Sequence, residues 1–403
     1  MSEYSKPGFD SKLWTKNFIL ILVANFAVYI GFYMLLPTLP IYVKILSGEE
    51  TLSGFAMGVF LVSAVLIRPF AGRAVDTRGR KGIFLLGLII FFLCSLVFNW
   101  VHTLLFLFLF RFIQGFGWGY CNTASGAIAA DIIPKTRLAE GMGYFGLSMS
   151  IAMGLAPALA LFIIGKYSFN LMFYVSAFAV VLATLLAIFM NYHNPKKDKA
   201  EVKPVLIEKA ALRPSLVAFF VTLNYSSVLS FLALYGQHLN IPNIGLFFTV
   251  YAISITISRP LFGRIADKRG YDIVMIPGLM IISLTMLILF KAQSLPAFIL
   301  AGIIYGCGFG AVQPTLQAMS VLNVPPNRRG AATGTYFTFF DLGVGLGSIL
   351  WGVVAHAIGY SLMYLLVIIP TLAALTIYLV LARRSHRSPE DFSPPQDSIK
   401  YVK

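Results

Sequence analysis

Long uninterrupted apolar stretches constrain this chain more than any other feature of its sequence. A bilayer core about 30 Å thick needs roughly 20 apolar residues in a helix, and twelve stretches of that kind can be found. Their predicted bounds are 17–43, 52–71, 82–101, 103–130, 141–165, 169–190, 214–238, 243–263, 273–292, 296–322, 331–356 and 360–382. The stretches 214–238 and 296–322 carry more Ser, Thr, Asn, Gln and Tyr than lipid-facing helices would. The sequence predicts an all-α polytopic membrane protein with about twelve transmembrane helices.

The composition agrees with lipid as the solvent. Of the 403 residues 58% are apolar and 12% are charged, whereas soluble domains have about 25% charged residues. A soluble domain and a disordered chain are therefore both excluded as fold classes. The net charge of +15 first suggests a nucleic-acid partner, and the positions of the charges test that idea.

The basic residues are concentrated in alternate connections between the spans. The N-terminus, the connections 72–81, 131–140, 191–213, 264–272 and 323–330, and the tail after 382 together hold 25 of the 31 Lys and Arg residues. The opposite connections hold Lys44, Lys166 and Lys291, and Arg68, Arg111 and Arg259 lie within or at the edge of spans. Because cytoplasmic loops collect Lys and Arg, both termini are predicted to be cytoplasmic. The charge is a topology signal, and no nucleic-acid partner is expected.

The two halves of the chain repeat each other. Residues 68–79 and 259–270 match at 7 of 12 positions with an offset of 191, and the same offset relates Arg137 to Arg328 and Gly143 to Gly334. Since each unit has an even number of spans, the two copies are parallel repeats, an architecture typical of alternating-access transporters. The predicted units are an N-terminal six-helix bundle (1–190), a cytoplasmic linker (191–212), a C-terminal six-helix bundle (213–382) and a cytoplasmic tail (383–403).

Two motifs carry a family resemblance. The sequence Gly-Arg-Ala-Val-Asp-Thr-Arg-Gly-Arg-Lys at 72–81 resembles the signature loop of the major facilitator superfamily, and 263–270 resembles its second-half echo. Residues 111–119 resemble the fourth-helix motif of the same superfamily, and span count, linker and repeat extend the likeness over the whole chain. The resemblance implies a transporter of two six-helix bundles, similar to the drug:proton antiporter branch.

The signature loop and its echo are implicated by the resemblance in the conformational switch. From the residues themselves, Asp76 and Asp267 are predicted either to form breakable ion pairs or to bond a neighbouring helix end, and a plain turn with topology charges is the alternative. Asp131 and Glu140 are predicted to pair with Lys135, Arg137 or a helix end. The switch candidates are Gly72, Arg73, Asp76, Arg78, Gly79, Arg80, Lys81, Gly263, Arg264, Asp267, Arg269 and Gly270.

Two charges lie well inside predicted spans, where an ionisable group is costly and indicates function. Asp341 lies about 16 Å along the eleventh span at 1.5 Å per residue, near the midplane. It suits a group that takes up and releases a proton, or one that pairs with a cationic substrate, and a structural acid is the third interpretation. Arg111 must face a cavity or a partner, or snorkel to the interface; the resemblance favours proton coupling or substrate orientation.

Polar and aromatic residues inside the spans suggest the lining of a substrate cavity. An interhelical hydrogen bond is the alternative for each of them, and a mixed aromatic and amide wall with one acid would suit moderately apolar or cationic solutes. The candidates are Asn25, Tyr29, Tyr33, Gln114, Asn122, Asn224, Tyr225, Gln313 and Gln317.

The fifth span carries Gly154, Ala156 and Pro157, where antiporters of the superfamily have a Gly-Pro pair in a glycine-rich motif. Here Ala156-Pro157 replaces that pair, which weakens the case for antiport, and an ordinary kinked helix explains the same residues.

No catalytic set, metal spacing, Walker sequence or strand-borne phosphate loop is found, so neither an enzyme nor a cofactor or metal is expected. We predict a proton-coupled antiporter that exports small organic or drug-like solutes, with the lipid bilayer, a small-molecule substrate and protons as partners. It is expected in the plasma membrane as a monomer. A proton symporter or facilitator that imports a nutrient such as a sugar or organic acid is the alternative, and a receptor or lipid-modifying enzyme is a third.

Overall fold

The computed structural model describes residues 12–47, 53–192 and 205–382, and these residues form helices without any β-strand. The first half contains α1 (Lys16–Ser47), α2 (Ser53–Arg78), α3 (Arg80–Val97), α4 (Leu104–Ile132), α5 (Leu138–Lys166) and α6 (Phe169–Phe189). The second contains α7 (Lys209–His238), α8 (Leu246–Arg269), α9 (Asp272–Lys291), α10 (Leu295–Leu322), α11 (Arg329–Ile358), α12 (Tyr360–Leu366) and α13 (Ile368–Ile377). With α12, α13 and a π-helical turn counted as one span, twelve described segments are long and apolar enough to cross a membrane.

The repeat predicted from the sequence is confirmed in the helix boundaries. α2 ends at Arg78 and α8 at Arg269, and each is followed by a glycine with positive φ, 99° at Gly79 and 91° at Gly270. The 3₁₀ turns Lys135–Arg137 and Pro326–Arg328 precede α5 and α11 at the same offset of 191. Equal spacing of caps and turns gives both halves the same local geometry.

The packing also follows the repeat. Within the first half α1 packs on α5 and α6, and α4 packs on α2 and α3; within the second α7 packs on α11 and α13, and α10 packs on α8 and α9. The halves meet along two seams, α2 against α11 and α5 against α8. We call these the α2–α11 seam and the α5–α8 seam, and each combines one helix from each half.

The exterior of the bundle is apolar, and the polar helices lie inside. Large exposed side chains such as Leu105, Phe178 and Ile257 face outward, as lipid contact requires. α7 and α10, the two spans expected to be too polar for lipid contact, are among the most buried helices. Their Ser, Asn and Gln residues are accommodated by protein neighbours rather than by lipid.

The predicted connections 72–81 and 264–272 are wrong in one respect. The helix α2 continues through Arg78 and α8 through Arg269, so most of each signature segment is helical and the turn is made around one glycine. The predicted boundaries of the bundles stay a prediction. Most of the linker (193–204) and the tail from 383 lie outside the described residues.

Candidate functional site

A cavity of about 790 Å³ lies between the halves and is lined by α1, α2, α4, α5, α7, α8, α10 and α11. We call the end of the bundle that carries the signature segments the basic end. On α2 the lining stops at Arg68, well before the helix ends at Arg78, and on α11 it starts only at Phe337. The cavity is therefore closed toward the basic end and extends toward the opposite end.

Seven of the nine polar residues predicted to line a cavity do line it. Three of them also form hydrogen bonds between helices: Asn122 donates to the Tyr29 hydroxyl at 2.8 Å, and Asn25 accepts from Ser125 at 3.2 Å. Asn25, Tyr29 and Asn122 therefore line the cavity and also make interhelical hydrogen bonds, so both interpretations apply to them. The seven are Asn25, Tyr29, Tyr33, Asn122, Tyr225, Gln313 and Gln317.

The remaining two candidates lie outside the cavity lining. The amide of Asn224 donates to Thr371 at 2.8 Å and accepts from Tyr305 at 3.0 Å. Gln114 donates to Ser95 at 2.9 Å. In both cases a buried amide is satisfied by its neighbours, which is the usual condition of buried polar groups.

The rest of the cavity wall is aromatic. Phe32 stacks on Trp118 with ring centroids 4.2 Å apart, and Tyr29 stacks on Tyr33 at 5.9 Å. Apolar walls with a few placed polar groups are typical of small-molecule sites.

Arg111 is buried within the first half and is not part of the cavity lining. Its guanidinium donates to Gln114 at 2.6 Å and to the Ala56 carbonyl at 3.3 Å, and lies 4.1 Å from the centre of the Phe60 ring. The cation thus finds an amide, a carbonyl and an aromatic face on α4 and α2. These contacts stabilise a buried charge without a carboxylate.

Asp341 forms an ion pair across the α2–α11 seam. Its Oδ2 lies 2.6 Å from both Nε and Nη2 of Arg68. The Arg68 side chain is 1% exposed and that of Asp341 14%, and both residues line the cavity. The carboxylate is therefore the more accessible member of a pair that ties the two halves together.

Arg259 is the counterpart of Arg68 in the repeat, and no carboxylate among the described residues pairs with it. It is fully buried on α8, lines the cavity and donates from Nη1 to the Gly146 carbonyl on α5. Its Nε and Nη2 have no hydrogen-bond partner among the described residues. The α5–α8 seam thus holds a cation beside the cavity without a compensating acid.

Asp76 and Asp267 each bond the N-terminus of a helix in the opposite half. Asp76 accepts from the backbone N–H groups of Gly330 and Ala331 at 2.8 Å, at the start of α11. Asp267 accepts from those of Ala139 and Glu140 at 2.9 and 2.8 Å, at the start of α5. A carboxylate satisfies free N–H groups and the positive helix end together. Both acids thus have the predicted helix-end bond, and Asp76 Oδ1 also lies 4.0 Å from Arg80 Nη2, at ion-pair distance.

Glycines allow the helices to cross closely at these points. A Cβ on Gly72 would lie 2.7 Å from the Gly330 carbonyl oxygen, and one on Gly263 would lie 2.5 Å from that of Ala139. These two glycines therefore serve close contact between the halves, while Gly79 and Gly270 make the turns.

A further charged cluster at the basic end lies beside the α2–α11 seam and joins α3 and α4 to α11. Asp131 on α4 lies 2.9 Å from Arg329 Nη1 on α11 and 3.0 Å from Arg80 Nε on α3. Tyr192 donates to it at 2.5 Å; burial and the adjacent carboxylate raise the pKa of Tyr192, which keeps the hydroxyl protonated as a donor. Arg80 also donates to the Pro326 carbonyl in the second half.

The predicted pairing is confirmed for Glu140, whose Oε2 lies 2.8 Å from Arg137 Nε. For Asp131 the predicted partners Lys135 and Arg137 are wrong, because Arg80 and Arg329 occupy that role.

The other switch candidates do not bridge the halves in the same way. Lys81 donates to the carbonyls of Ile188 and Met190 at the end of α6, within the first half. The remaining charged candidates, which are exposed on α2 and α8, are Arg73, Arg78, Arg264 and Arg269.

The antiporter-like segment lies in α5. Ala156 is buried, Pro157 lies inside the helix and lines the cavity, and Gly154 is exposed with open space where a Cβ would be. Close helix packing therefore applies to Ala156 rather than to Gly154.

Sequence reasoning missed the roles of Arg68, Arg259 and Arg329. Arg68 and Arg259 occupy the same position of the two repeats inside apolar helices, and a cation at that depth needs a partner. The repeat offset was the signal that could have singled them out. No linear pattern pairs Arg329 with Asp131, 198 residues away.

Comparison with known proteins agrees with this architecture. The model of the Major Facilitator Superfamily matches residues 21–242 and 214–400. The chain belongs to the major facilitator superfamily. It is a multi-pass membrane transporter, and a lipid bilayer and a small-molecule substrate are implied as its partners.

The relatives are distant. An uncharacterized MFS-type transporter of Methanocaldococcus jannaschii is 25% identical over 87% of this chain and 94% of its own length. The quinolone resistance protein NorA of Staphylococcus aureus is 25% identical over 83% of this chain and 89% of its own. The crystal structure of the human organic anion transporter MFSD10 superposes with a TM-score of 0.76 at 18% identity, covering 90% of this chain and 98% of that one. The last likeness concerns the fold alone.

Proposed function

We propose that this transporter works by alternating access and exports small organic or drug-like solutes in exchange for protons. The observation that carries the proposal is the Arg68–Asp341 ion pair, which joins the two halves at the wall of the cavity. The name of the Staphylococcus aureus relative, a quinolone resistance protein, supports drug-like solutes.

A proton on Asp341 would change the balance between the conformations. Protonation removes the negative charge, so Arg68 loses its partner and the α2–α11 seam loses a charge-assisted contact. Such contacts contribute roughly 1.5–3 kcal/mol, and about 1.4 kcal/mol corresponds to a tenfold change in an equilibrium. One proton is therefore enough to shift a two-state balance by about tenfold or more. Antiport follows if a bound solute favours the unprotonated acid.

The closed basic end suggests which state the structure represents. If that end faces the cytoplasm, as its Lys and Arg residues suggest, the cavity extends toward the outside. We infer that Asp76 and Asp267, with their helix-end bonds, hold this outward-directed state and release when the basic end opens. Since one chain forms the whole cavity, a monomer is sufficient for transport, and the plasma membrane is the proposed location.

A second candidate, proton symport, is favoured by the charges of the cavity. The charged lining residues are Arg68, Arg259 and Asp341, so the formal charge is +1 with Asp341 ionised and +2 with it protonated. A proton would then strengthen the binding of an acidic solute, and co-binding of this kind leads to import of an organic acid together with a proton.

Proteoliposomes with an imposed pH gradient distinguish these functions. With a fluorescent quinolone as probe, antiport predicts accumulation in vesicles with an acidic lumen, and symport predicts accumulation when the outside is acidic. Protein-free vesicles under the same gradients control for passive distribution of an ionisable probe. Transport that does not respond to either gradient would overturn proton coupling.

The proposed orientation has a separate test. In a chain without native cysteines, an impermeant thiol reagent applied to intact cells should label a cysteine at exposed position 291, on the end opposite to the basic end, but not one at exposed position 73. Labelling of position 73 alone would reverse the orientation.

A further inference from the structure

Arg259 belongs to the cavity lining and has one guanidinium edge without a hydrogen-bond partner among the described residues. The residue is fully buried and belongs to the cavity lining. Nη1 is engaged by the Gly146 carbonyl, whereas Nε and Nη2 have no hydrogen-bond partner among the described residues. Those two nitrogens direct their N–H groups along one edge of the planar guanidinium, which is the edge that binds a carboxylate in a bidentate manner.

The repeat shows what that edge binds when a partner is present. Arg68 uses the same two atoms, Nε and Nη2, to bind Asp341, each at 2.6 Å. Its guanidinium lies 4.7 Å from the centre of the Phe337 ring, one helical turn before Asp341. In the other seam, Arg259 lies against Gly146, which corresponds to Phe337 at the offset of 191.

The position that corresponds to Asp341 is Ser150, which carries no charge. Arg259 takes part in none of the ion pairs among the described residues, which are 12–47, 53–192 and 205–382. The acid is therefore missing on one side of an otherwise matching arrangement. A buried cation without a counter-charge is costly, and that cost would be offset by an anion arriving from the cavity.

The surroundings of Arg259 suit an anionic group on an aromatic or apolar solute. The groups that interact electrostatically with Arg259 are tyrosine hydroxyls. Tyr33 and Tyr225 are among them, and both line the cavity. Phenols are neutral at pH 7 and supply O–H donors without adding charge. The one carboxylate of the lining, Asp341, is neutralised by Arg68.

We propose that Arg259 is the subsite that binds an anionic group, a carboxylate in the first instance, of the transported solute. The inference rests on the proposed function in one respect, namely that the solute passes through this cavity, and it does not depend on the direction of proton coupling. It replaces the expectation of a cationic solute with that of an acidic or amphoteric one.

Three aromatic probes of similar size but different charge test the subsite: 1-naphthoate, 1-naphthamide and 1-naphthylmethylammonium. Their affinities for the purified full-length protein are measured by equilibrium dialysis at pH 7 without any gradient. We expect naphthoate to bind at least tenfold more tightly than the amide, and the ammonium compound to bind most weakly. Equal affinities, a preference for the cation, or no binding of naphthoate would overturn the proposal.

Variants then assign the preference to one residue. Arg259→Gln should abolish the preference for naphthoate over the amide, Arg259→Lys should retain part of it, and Lys291→Gln, which removes an exposed cation far from the cavity, should leave it unchanged. Because the substitution also removes the Nη1 bond to Gly146, the affinities are compared only between variants that retain the helical fold by circular dichroism. A preference that persists in folded Arg259→Gln protein would contradict the assignment.

The outcome is separable from the proposed function. Binding at equilibrium needs no proton gradient, so a protein that fails the gradient test can still show the anion preference. Conversely, gradient-driven transport of naphthamide at the rate of naphthoate would support the transport cycle and overturn the anion subsite.

Discussion

The α2–α11 seam and the α5–α8 seam have the same backbone arrangement and different charges. In both, an acid at the basic end bonds two N–H groups of the facing helix, and a glycine allows close contact. Toward the cavity, the first seam holds the pair Arg68–Asp341, whereas the second holds Arg259 against a backbone carbonyl. The repeat therefore accounts for the backbone contacts that the two seams share. The seams differ in the charged side chains that they carry toward the cavity.

This difference separates two roles. We propose that the contacts present in both seams, those of Asp76 and Asp267, serve closure of the basic end, which any alternating-access cycle requires. Of the contacts present in one seam, we propose that the Arg68–Asp341 pair responds to protonation and that the Asp131 cluster strengthens one side only. The uncompensated Arg259 leaves the second seam available to a charged ligand.

The largest effect should come from making the seams alike. Ser150→Asp places an acid on α5 where Asp341 stands on α11, and the new carboxylate should compete for the free edge of Arg259. We expect naphthoate affinity to fall by more than tenfold, measured by equilibrium dialysis, with Ser150→Ala as the control that leaves affinity unchanged. Unaltered naphthoate binding in folded Ser150→Asp protein would show that the two positions are not equivalent.

Closure itself should be sensitive to the crossing glycines. In Gly72→Ala or Gly263→Ala the new Cβ would lie within 3 Å of backbone atoms of the opposite half, so the basic end cannot close as observed. The distance between spin labels at exposed positions 73 and 264 is measured by double electron–electron resonance, with the native cysteines replaced. We expect it to shift to longer values in most molecules. An unchanged distance distribution in both variants would contradict the role given to these contacts.

A smaller and unequal effect is expected from the acids at the basic end. Asp267→Asn weakens the two hydrogen bonds that Asp267 accepts from α5. The second repeat has Leu322 at the position of Asp131, so it has no acid there to support the seam. Asp76→Asn leaves the bridge from Asp131 to Arg329 in place. We expect a several-fold rise in the open population for Asp267→Asn and a lesser rise for Asp76→Asn, by the same distance measurement. The reverse order would show that the Asp131 cluster does not support its seam.

The smallest effect should be that of Gly154→Ala. A methyl group there meets open space, and alanine favours the helix over glycine by roughly 1 kcal/mol. Transport rates in proteoliposomes should stay within about twofold of the wild type. A marked loss of transport would mean that Gly154 makes its contact in another conformation of the cycle.

Much of this architecture could be predicted from the sequence, because apolar length and the offset of 191 report directly on spans and repeats. The depth of Asp341 could also be estimated along its own helix. Its partner Arg68 could not, since a helix position says nothing about which helix faces it, and the two residues are 273 apart. The same limit applies to Gln114 and Asn224, whose polarity is explained by neighbours within one half.

The glycines show the limit in another way. Gly72 and Gly79 belong to one motif, but they serve different purposes in the structure. Only Gly79 has a positive φ, whereas Gly72 is helical and allows the approach of α11. The sequence shows where a glycine stands. Whether that glycine allows a positive φ or a close contact between helices depends on which helix of the other half packs against it.

The central claim is that the charged seam couples protons to transport through Asp341. It is tested most directly by Asp341→Asn in proteoliposomes, comparing gradient-driven accumulation of a quinolone with its exchange at equal pH. Asparagine keeps the shape of the side chain but cannot ionise, and Ser150→Ala serves as the matched change in the other seam. We expect Asp341→Asn to retain exchange and to lose the response to the pH gradient, while Ser150→Ala keeps both. Gradient-driven accumulation at the wild-type level in Asp341→Asn would contradict the account.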